Sequence, residues 1–135
     1  MSTTTSLDEI TILDICFGLG FNTLATIYYV KQHNIRAKIN IYSPELDRQL
    51  IKSLKYFTYP TEFEDLKVIV NSLVLHGRYD DDSLHLELFV GDAREYILKF
   101  EDNMFDIIYQ DAFSPSTNPT LWTQEYFRDI ARITC

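Results

Sequence analysis

The stretch Ile10-Thr-Ile-Leu-Asp-Ile-Cys-Phe-Gly-Leu-Gly-Phe-Asn22 decides the fold. Residues 10–16 are rich in Ile and Leu, which is typical of a strand buried on both faces of a sheet. The two glycines that follow allow a sharp turn, and the apolar spacing over 24–33 predicts a helix. A buried strand, a glycine turn and a helix are the opening unit of a parallel α/β domain.

The rest of the chain continues this alternation of strands and helices. Because strand, helix, strand connections are right-handed, the pattern predicts an α/β, Rossmann-like parallel sheet with helices on both faces. The acidic run at 80–82 is interpreted as a solvated loop. The other predicted elements are a strand at 39–42 that stops at Ser43-Pro44, helices at 46–54 and 63–73 separated by Tyr59-Pro60, strands at 84–90 and 104–110, and helices after Asp92 and from 123.

Length and composition indicate one domain over residues 1–135 with a sizeable core, because 46% of the residues are hydrophobic. No run approaches the roughly 18 apolar residues of a membrane span, and residues 1–6 are polar, so we expect a soluble, cytoplasmic protein without membrane contact. Two cysteines form no framework, and no metal site is predicted. The net charge of −8 argues against a broad electrostatic grip on nucleic-acid phosphates.

The first candidate site is the glycine turn. Asp14 ends the first strand, where a carboxylate suits a ligand with an ammonium group, and the helix after the turn offers free N–H groups. The match to a dinucleotide fingerprint is incomplete, because its third small residue falls on Thr23. A tight turn without any ligand remains the alternative.

Two acidic residues follow the second strand. Glu45 lies 25 positions after Gly20 (45 − 20), close to the spacing of about 20 at which an acid accepts hydrogen bonds from ribose hydroxyls. Asp47 is the rival, and its alternative role is a helix N-cap. We favour Glu45 because it lies nearer the strand end.

A third candidate, Gly91-Asp92-Ala93, follows the strand at 84–90. Asp92 has the position of an N-cap for the next helix. Its carboxylate could also receive the amino group of an adenine, and the two roles are compatible.

The fourth candidate follows the strand at 104–110 and runs from Asp111 to Thr123. A carboxylate at a strand end, followed by a stiff loop with two prolines and two aromatic residues, is a good platform for a planar substrate. Asn118 is equally consistent with an N-cap and Trp122 with a core position.

These segments, in this order, resemble the family of tRNA wobble-uridine methyltransferases that includes the methyltransferase domain of MnmC. The resemblance spans roughly 12–132. It implies the class I methyltransferase fold with S-adenosylmethionine as cofactor and tRNA as substrate. The implied cofactor residues are Asp14, Phe17, Gly18, Gly20, Asn22, Glu45, Asp92 and Ala93, and the implied substrate residues are Asp111, Phe113, Pro115, Asn118 and Trp122.

By the same resemblance, the reaction is methyl transfer to the aminomethyl nitrogen of a 5-aminomethyluridine. Asp111 would orient that amine and act as the catalytic residue. Direct in-line displacement requires a neutral amine, and alignment of the two reactants supplies much of the rate.

Two features depart from the family pattern. Cys16 stands where many methyltransferases carry glycine, which narrows the space beside the cofactor. The chain also ends after the fourth predicted strand and its helix, whereas family members carry about three more strands and an N-terminal segment. We therefore expect a truncated core whose open sheet edge could pair with another chain, and a separate oxidase is a further candidate partner.

Two other functions stay open from the sequence. A small-molecule or polyamine-type methyltransferase would share the cofactor residues, and the acidic net charge would attract its cationic substrate. A noncatalytic nucleotide-binding domain is the second alternative.

Overall fold

The fold is known from a computed structural model, which describes residues 9–110 and 124–134. In these ranges strands and helices alternate as the sequence predicts, and short 3-10 turns lie at 54–56 and 61–66. No helix of the described residues is long and apolar enough to cross a membrane. The elements are β1 (Glu9–Ile15), α1 (Phe21–Gln32), β2 (Lys38–Glu45), α2 (Arg48–Ser53), α3 (Lys67–His76), β3 (Arg78–Asp80), β4 (Leu84–Val90), α4 (Ala93–Ile97), β5 (Ile107–Gln110) and α5 (Gln124–Ile133).

The five strands form one sheet in the order β3-β4-β2-β1-β5. Strands β4, β2, β1 and β5 are parallel, whereas β3 pairs with β4 in the antiparallel direction at the edge. The order places β1 in the middle, with β2 on one side and β5 on the other. The carboxyl ends of these three strands therefore lie beside one another at one edge of the sheet, where open α/β sheets bind their ligands.

Both faces of the sheet are covered by a hydrophobic core. Because successive side chains of a strand point to opposite faces, Ile12 of β1 packs in one core with α1, α2 and α3, and Leu13 packs in the other with α4 and α5. The prediction of a Rossmann-like sheet with helices on both faces is confirmed for the four parallel strands.

The prediction of a loop at the acidic run was wrong in part, because β3 ends at Asp80. Gly77 ends α3 with φ +74°, and its carbonyl accepts a hydrogen bond from Leu88 N–H at 2.9 Å, which turns the chain back along β4. Asp81 Oδ1 accepts from the N–H groups of Ser83 and Leu84, both at 2.8 Å, and closes the hairpin. A strand this short carries no alternation that a sequence could reveal.

Two predicted boundaries also differ from the structure. β2 continues through Ser43 and Pro44 to Glu45, and the Pro44 carbonyl accepts from Phe17 N–H at 3.0 Å. Proline lacks a donor, but it still offers this acceptor to the neighbouring strand end. The helix predicted at 63–73 is divided into a 3-10 turn, Thr61–Leu66, and α3.

Candidate cofactor site

The turn after β1 is built from residues in the left-handed region of backbone space. Cys16, Gly18 and Gly20 have φ values of +67°, +60° and +86°. Gly20 N–H donates to the Phe17 carbonyl at 2.8 Å and closes the turn directly before α1. Glycine adopts this conformation without the steric cost that a side chain adds, so Cys16 is the strained member of the three.

The two glycines of the turn differ in their surroundings. A Cβ atom added at Gly20 would lie 2.8 Å from Cζ of Phe17, so this glycine permits close packing of that ring. A Cβ atom at Gly18 would meet only the carbonyl oxygen of Cys16, 3.8 Å away. The backbone at Gly18 is therefore open to close approach by a ligand, as a cofactor on this turn requires.

Hydrogen bonds join this turn to the ends of the two neighbouring parallel strands. Gly18 N–H donates to Glu45 Oε1 at 2.8 Å, and the Glu45 carbonyl accepts from Gly91 N–H at 2.9 Å. The structure thus brings together three of the four segments that the sequence singled out: the glycine turn, the end of β2 and the end of β4.

The two rival acids after β2 have separate roles in the fold. Asp47 is the N-cap of α2, and its Oδ1 accepts from Leu50 N–H at 3.0 Å. Glu45 points toward the glycine turn, and its Oε2 also accepts from Asp47 N–H at 3.0 Å. A carboxylate has about four acceptor sites, so Glu45 keeps capacity for a ribose hydroxyl. The assignment of Glu45 to the ribose stays a prediction.

Asp14 lies inside the structure beneath the turn, with 1% of its surface exposed. Thr23 Oγ1 donates to its Oδ2 at 3.0 Å, and Ser43 Oγ donates to its main-chain oxygen at 2.6 Å. These bonds tie β1 to α1 and β2 below the cofactor position. Whether Asp14 also binds an ammonium group is a prediction that its burial makes demanding.

Asp92 is the N-cap of α4, as one of its two predicted roles requires. Its Oδ1 accepts from Arg94 N–H at 2.9 Å, and its Oδ2 lies 2.8 Å from the Arg94 guanidinium. The hydrogen bond from that guanidinium holds the pKa of the Asp92 carboxyl below its ordinary value. Ala93, the next residue, is buried in the core. Contact of either residue with an adenine stays a prediction.

Phe17 and Asn22 lie on either side of the turn. The Phe17 ring is 5% exposed and packs in the core, so the structure gives it a packing role. Asn22 is in the first turn of α1 and lines a groove of about 370 Å³ between α1 and the β1–β5 side of the sheet. Their cofactor contacts stay predictions.

The predicted substrate residues Asp111, Phe113, Pro115, Asn118 and Trp122 lie outside the described residues. The described chain reaches Gln110, the last residue of β5, which stands opposite Ile15 of β1 in the parallel register. Position 111 therefore follows a strand end next to the one that leads into the glycine turn.

One residue near the site was missed by the sequence analysis. Tyr59 OH donates to the Leu19 carbonyl, within the glycine turn, at 2.7 Å. Burial raises the pKa of Tyr59 to about 12, which keeps the phenol protonated as a donor at ordinary pH. The sequence showed only a break at Tyr59-Pro60, because a bond between residues 40 positions apart leaves no local pattern.

The geometry defines a nucleotide-cofactor-binding α/β domain, with an open glycine turn and acidic strand ends at one edge of a parallel sheet. The sequence profile of a family described as S-adenosyl-L-methionine-dependent methyltransferase matches residues 63–135. The chain belongs to this family.

Relatives and a solved structure agree with this membership. An uncharacterized protein of Methanocaldococcus jannaschii is 33% identical over 93% of this chain. The tRNA 5-methylaminomethyl-2-thiouridine biosynthesis bifunctional protein MnmC of Pseudomonas fluorescens is 28% identical over 87% of the chain. The crystal structure of MnmC2 from Aquifex aeolicus matches 98% of the chain with a TM-score of 0.81 and 28% identity.

The chain spans only part of each of these proteins. The matched part is 35% of the archaeal protein, 19% of the Pseudomonas MnmC and 42% of the Aquifex chain. The match to the Aquifex structure supports the MnmC-like, Rossmann-like methyltransferase fold that the sequence predicted.

Proposed function

We propose that this chain methylates the aminomethyl nitrogen of 5-aminomethyluridine at the wobble position of tRNA, using S-adenosylmethionine. The observation that carries the proposal is the junction of Gly18, Glu45 and Gly91 at one sheet edge, in a chain of this methyltransferase family. The tRNA substrate is inferred from the MnmC relatives, whose name states tRNA 5-methylaminomethyl-2-thiouridine biosynthesis.

S-adenosylmethionine supplies a methyl group bound to a positively charged sulfur. The open backbone of Gly18 fits a ligand that lies against the turn, and we assign the ribose to Glu45 and the adenine amino group to Asp92. Asp14, with Thr23 on its carboxylate, supports the turn from below and is our candidate for the ammonium group of the methionine part.

Asp111 is our candidate for the residue that orients the substrate amine. It follows β5, whose end lies beside the end of β1, so the topology directs it to the same crevice as the glycine turn. A carboxylate there binds the protonated amine and aligns the nitrogen after the proton is lost. Alignment contributes much of the rate in such transfers, because the reactants no longer have to find each other in solution.

The test is single-turnover methylation of tRNA that carries the aminomethyl precursor, with the modified nucleoside identified by mass spectrometry. In the full chain, Asp111→Asn should reduce methyl transfer at least roughly a hundredfold, the lower range for a positioned proton-transfer group. Its melting temperature and its affinity for S-adenosylhomocysteine should stay close to wild type, since the substitution keeps the shape of the side chain.

Two results would contradict this proposal. Wild-type turnover by Asp111→Asn would remove the residue from the mechanism. Methylation of spermidine but not of precursor tRNA by the wild type would favour the polyamine-type alternative, which the net charge of −8 supports.

A further inference from the structure

α2 and the 3-10 turn that follows it carry a basic stripe, defined here as Arg48, Lys52 and Lys55. All three side chains are exposed, whereas Ile51 and Leu54, which lie between them in the sequence, are buried in the core. Spacings of four and three residues place side chains on the same side of a helix. The stripe is therefore one continuous basic face directed to solvent.

No acidic residue in the described ranges forms an ion pair with the basic stripe. Glu62, Glu64 and Asp65 lie in the nearby 3-10 turn, but none is within 4.0 Å of the three cations. Other cations of the described part are neutralised by acids: Arg78 by Asp80, Arg94 by Asp92, Lys99 by Glu87 and Arg132 by Asp102. In a protein of net charge −8, the stripe is a local positive surface.

The basic stripe begins beside the candidate cofactor site. Arg48 follows Glu45 by three positions, and Glu45 binds Gly18 of the glycine turn. The Asp47 cap fixes the start of α2 at this strand end. A long anion that lies along the stripe would therefore reach the edge of the sheet where the cofactor turn lies.

An aromatic ring stands at the far end of the basic stripe. Tyr56 is 79% exposed, and Lys55 Nζ lies 4.9 Å from its ring centroid. An exposed aromatic ring combined with cations is the usual equipment for single-stranded RNA, since unpaired bases stack on the ring and phosphates meet the cations. A purely acidic protein partner would have no use for the ring.

We propose that the basic stripe and Tyr56 form a docking surface for the tRNA substrate, with phosphates on the three cations and an unpaired base on the ring. This inference rests on the proposed function. It also resolves the conflict between an acidic protein and a polyanionic substrate, because only one face of the molecule has to attract RNA.

The test compares two triple variants of the full chain that change charge equally. Arg48→Gln with Lys52→Gln and Lys55→Gln removes the stripe. Lys31→Gln with Arg36→Gln and Lys38→Gln is the matched control, because these three cations are also exposed but lie between the end of α1 and the start of β2, at the opposite edge of the sheet. Binding of precursor tRNA is measured by fluorescence anisotropy from about 50 to 200 mM salt, with S-adenosylhomocysteine present.

Loss of each phosphate contact lowers the slope of log K against log salt by roughly 0.7 to 0.9, so the stripe variant should lose about two units of slope. Its tRNA affinity at about 0.1 M salt should fall at least roughly tenfold, while the control variant stays within about twofold of wild type. Tyr56→Ala should weaken binding roughly five- to a hundredfold with an unchanged salt slope, and Tyr56→Phe should bind normally.

Three results would overturn the docking surface. They are an unchanged slope in the stripe variant, an equal loss in the control variant, and no tRNA binding by the wild type. If the wild type methylates precursor tRNA but the stripe variant binds it normally, the surface is wrong and the proposed function stands. If the wild type neither binds nor methylates tRNA, both fail.

Discussion

At the residue scale, Glu45 combines a structural bond with the ligand role proposed for it. Both of its carboxylate oxygens accept main-chain N–H groups, from Gly18 at 2.8 Å and from Asp47 at 3.0 Å. Its removal would therefore loosen the glycine turn and take away the acceptor for the ribose together. Asp47, two residues away, provides a natural comparison because it caps a helix instead.

We predict that Glu45→Ala weakens S-adenosylhomocysteine binding roughly ten- to a hundredfold, the equivalent of about 1.5 to 3 kcal/mol for a charge-assisted hydrogen bond. Asp47→Ala should lower stability by about 1 kcal/mol through the lost cap and leave affinity within about twofold. Calorimetric titration and urea unfolding measure the two effects. Normal binding by Glu45→Ala with loss in Asp47→Ala would make Asp47 the ribose acid.

At the residue scale the sequence also shows its limits. It predicted that Glu45 and the glycine turn would meet, because the ends of neighbouring parallel strands share one edge. It did not distinguish the glycines, since only the packed structure shows Phe17 against Gly20 and open space at Gly18. The bond from Tyr59 to Leu19 was equally hidden, because it depends on how a long connection folds back.

At the element scale, α4 depends on a single charged cap. Asp92 accepts from Arg94 N–H and pairs with its guanidinium, and this hydrogen bond lowers the pKa of the carboxyl in the folded protein. A carboxyl whose pKa is lower in the folded than in the unfolded state stabilises the fold above its unfolded pKa. That stabilisation is lost as the pH falls through the lowered folded pKa.

We predict that Asp92→Asn keeps the cap but loses this pH dependence. At pH 7, Asp92→Ala should cost about 1 kcal/mol and Asp92→Asn less, because Asn and Asp cap helices about equally well. The stability difference between wild type and Asp92→Asn should shrink when urea unfolding is repeated at about pH 3, below the ordinary Asp pKa of about 3.9. A difference that stays constant between the two pH values would show that the ion pair contributes nothing.

Elements with a strong period were predicted from sequence, and elements set by turns were not. The alternating residues of β4 and the helical spacing of α1 each bury one face, so the hydrophobic pattern locates them. β3 owes its existence to Gly77 and Asp81, which turn the chain back onto β4. Such side-chain turns resemble ordinary loops in a sequence.

At the scale of the whole molecule, the candidate site connects both halves of the sheet. Its hydrogen bonds run from β1 through Glu45 of β2 to Gly91 after β4, and the two cores lie on either face of these strands. A ligand that binds across this junction contacts only the folded arrangement. Its binding free energy should therefore appear as stability of the whole cooperative unit.

We predict that S-adenosylhomocysteine raises the melting temperature of the full chain. At a hundredfold excess over Kd the gain is about 2.7 kcal/mol, which for a domain of this size corresponds to a shift on the order of 10 °C. Differential scanning fluorimetry over a range of ligand concentrations gives the shift and its dependence on concentration. At the same ligand concentration, a Kd raised ten- to a hundredfold in Glu45→Ala would leave only about 0.4 to 1.4 kcal/mol of this gain.

NADH is the matched control ligand, because it presents an adenosine part similar to that of the methyl donor. The third small residue of the dinucleotide fingerprint is replaced by Thr23, which is buried and bonded to Asp14 at 3.0 Å, so the close approach that NADH needs at this turn is blocked. NADH should leave the melting temperature unchanged. An equal shift with NADH would reassign the site to dinucleotides, and no shift with either ligand would remove the cofactor from the glycine turn while leaving the fold unchanged.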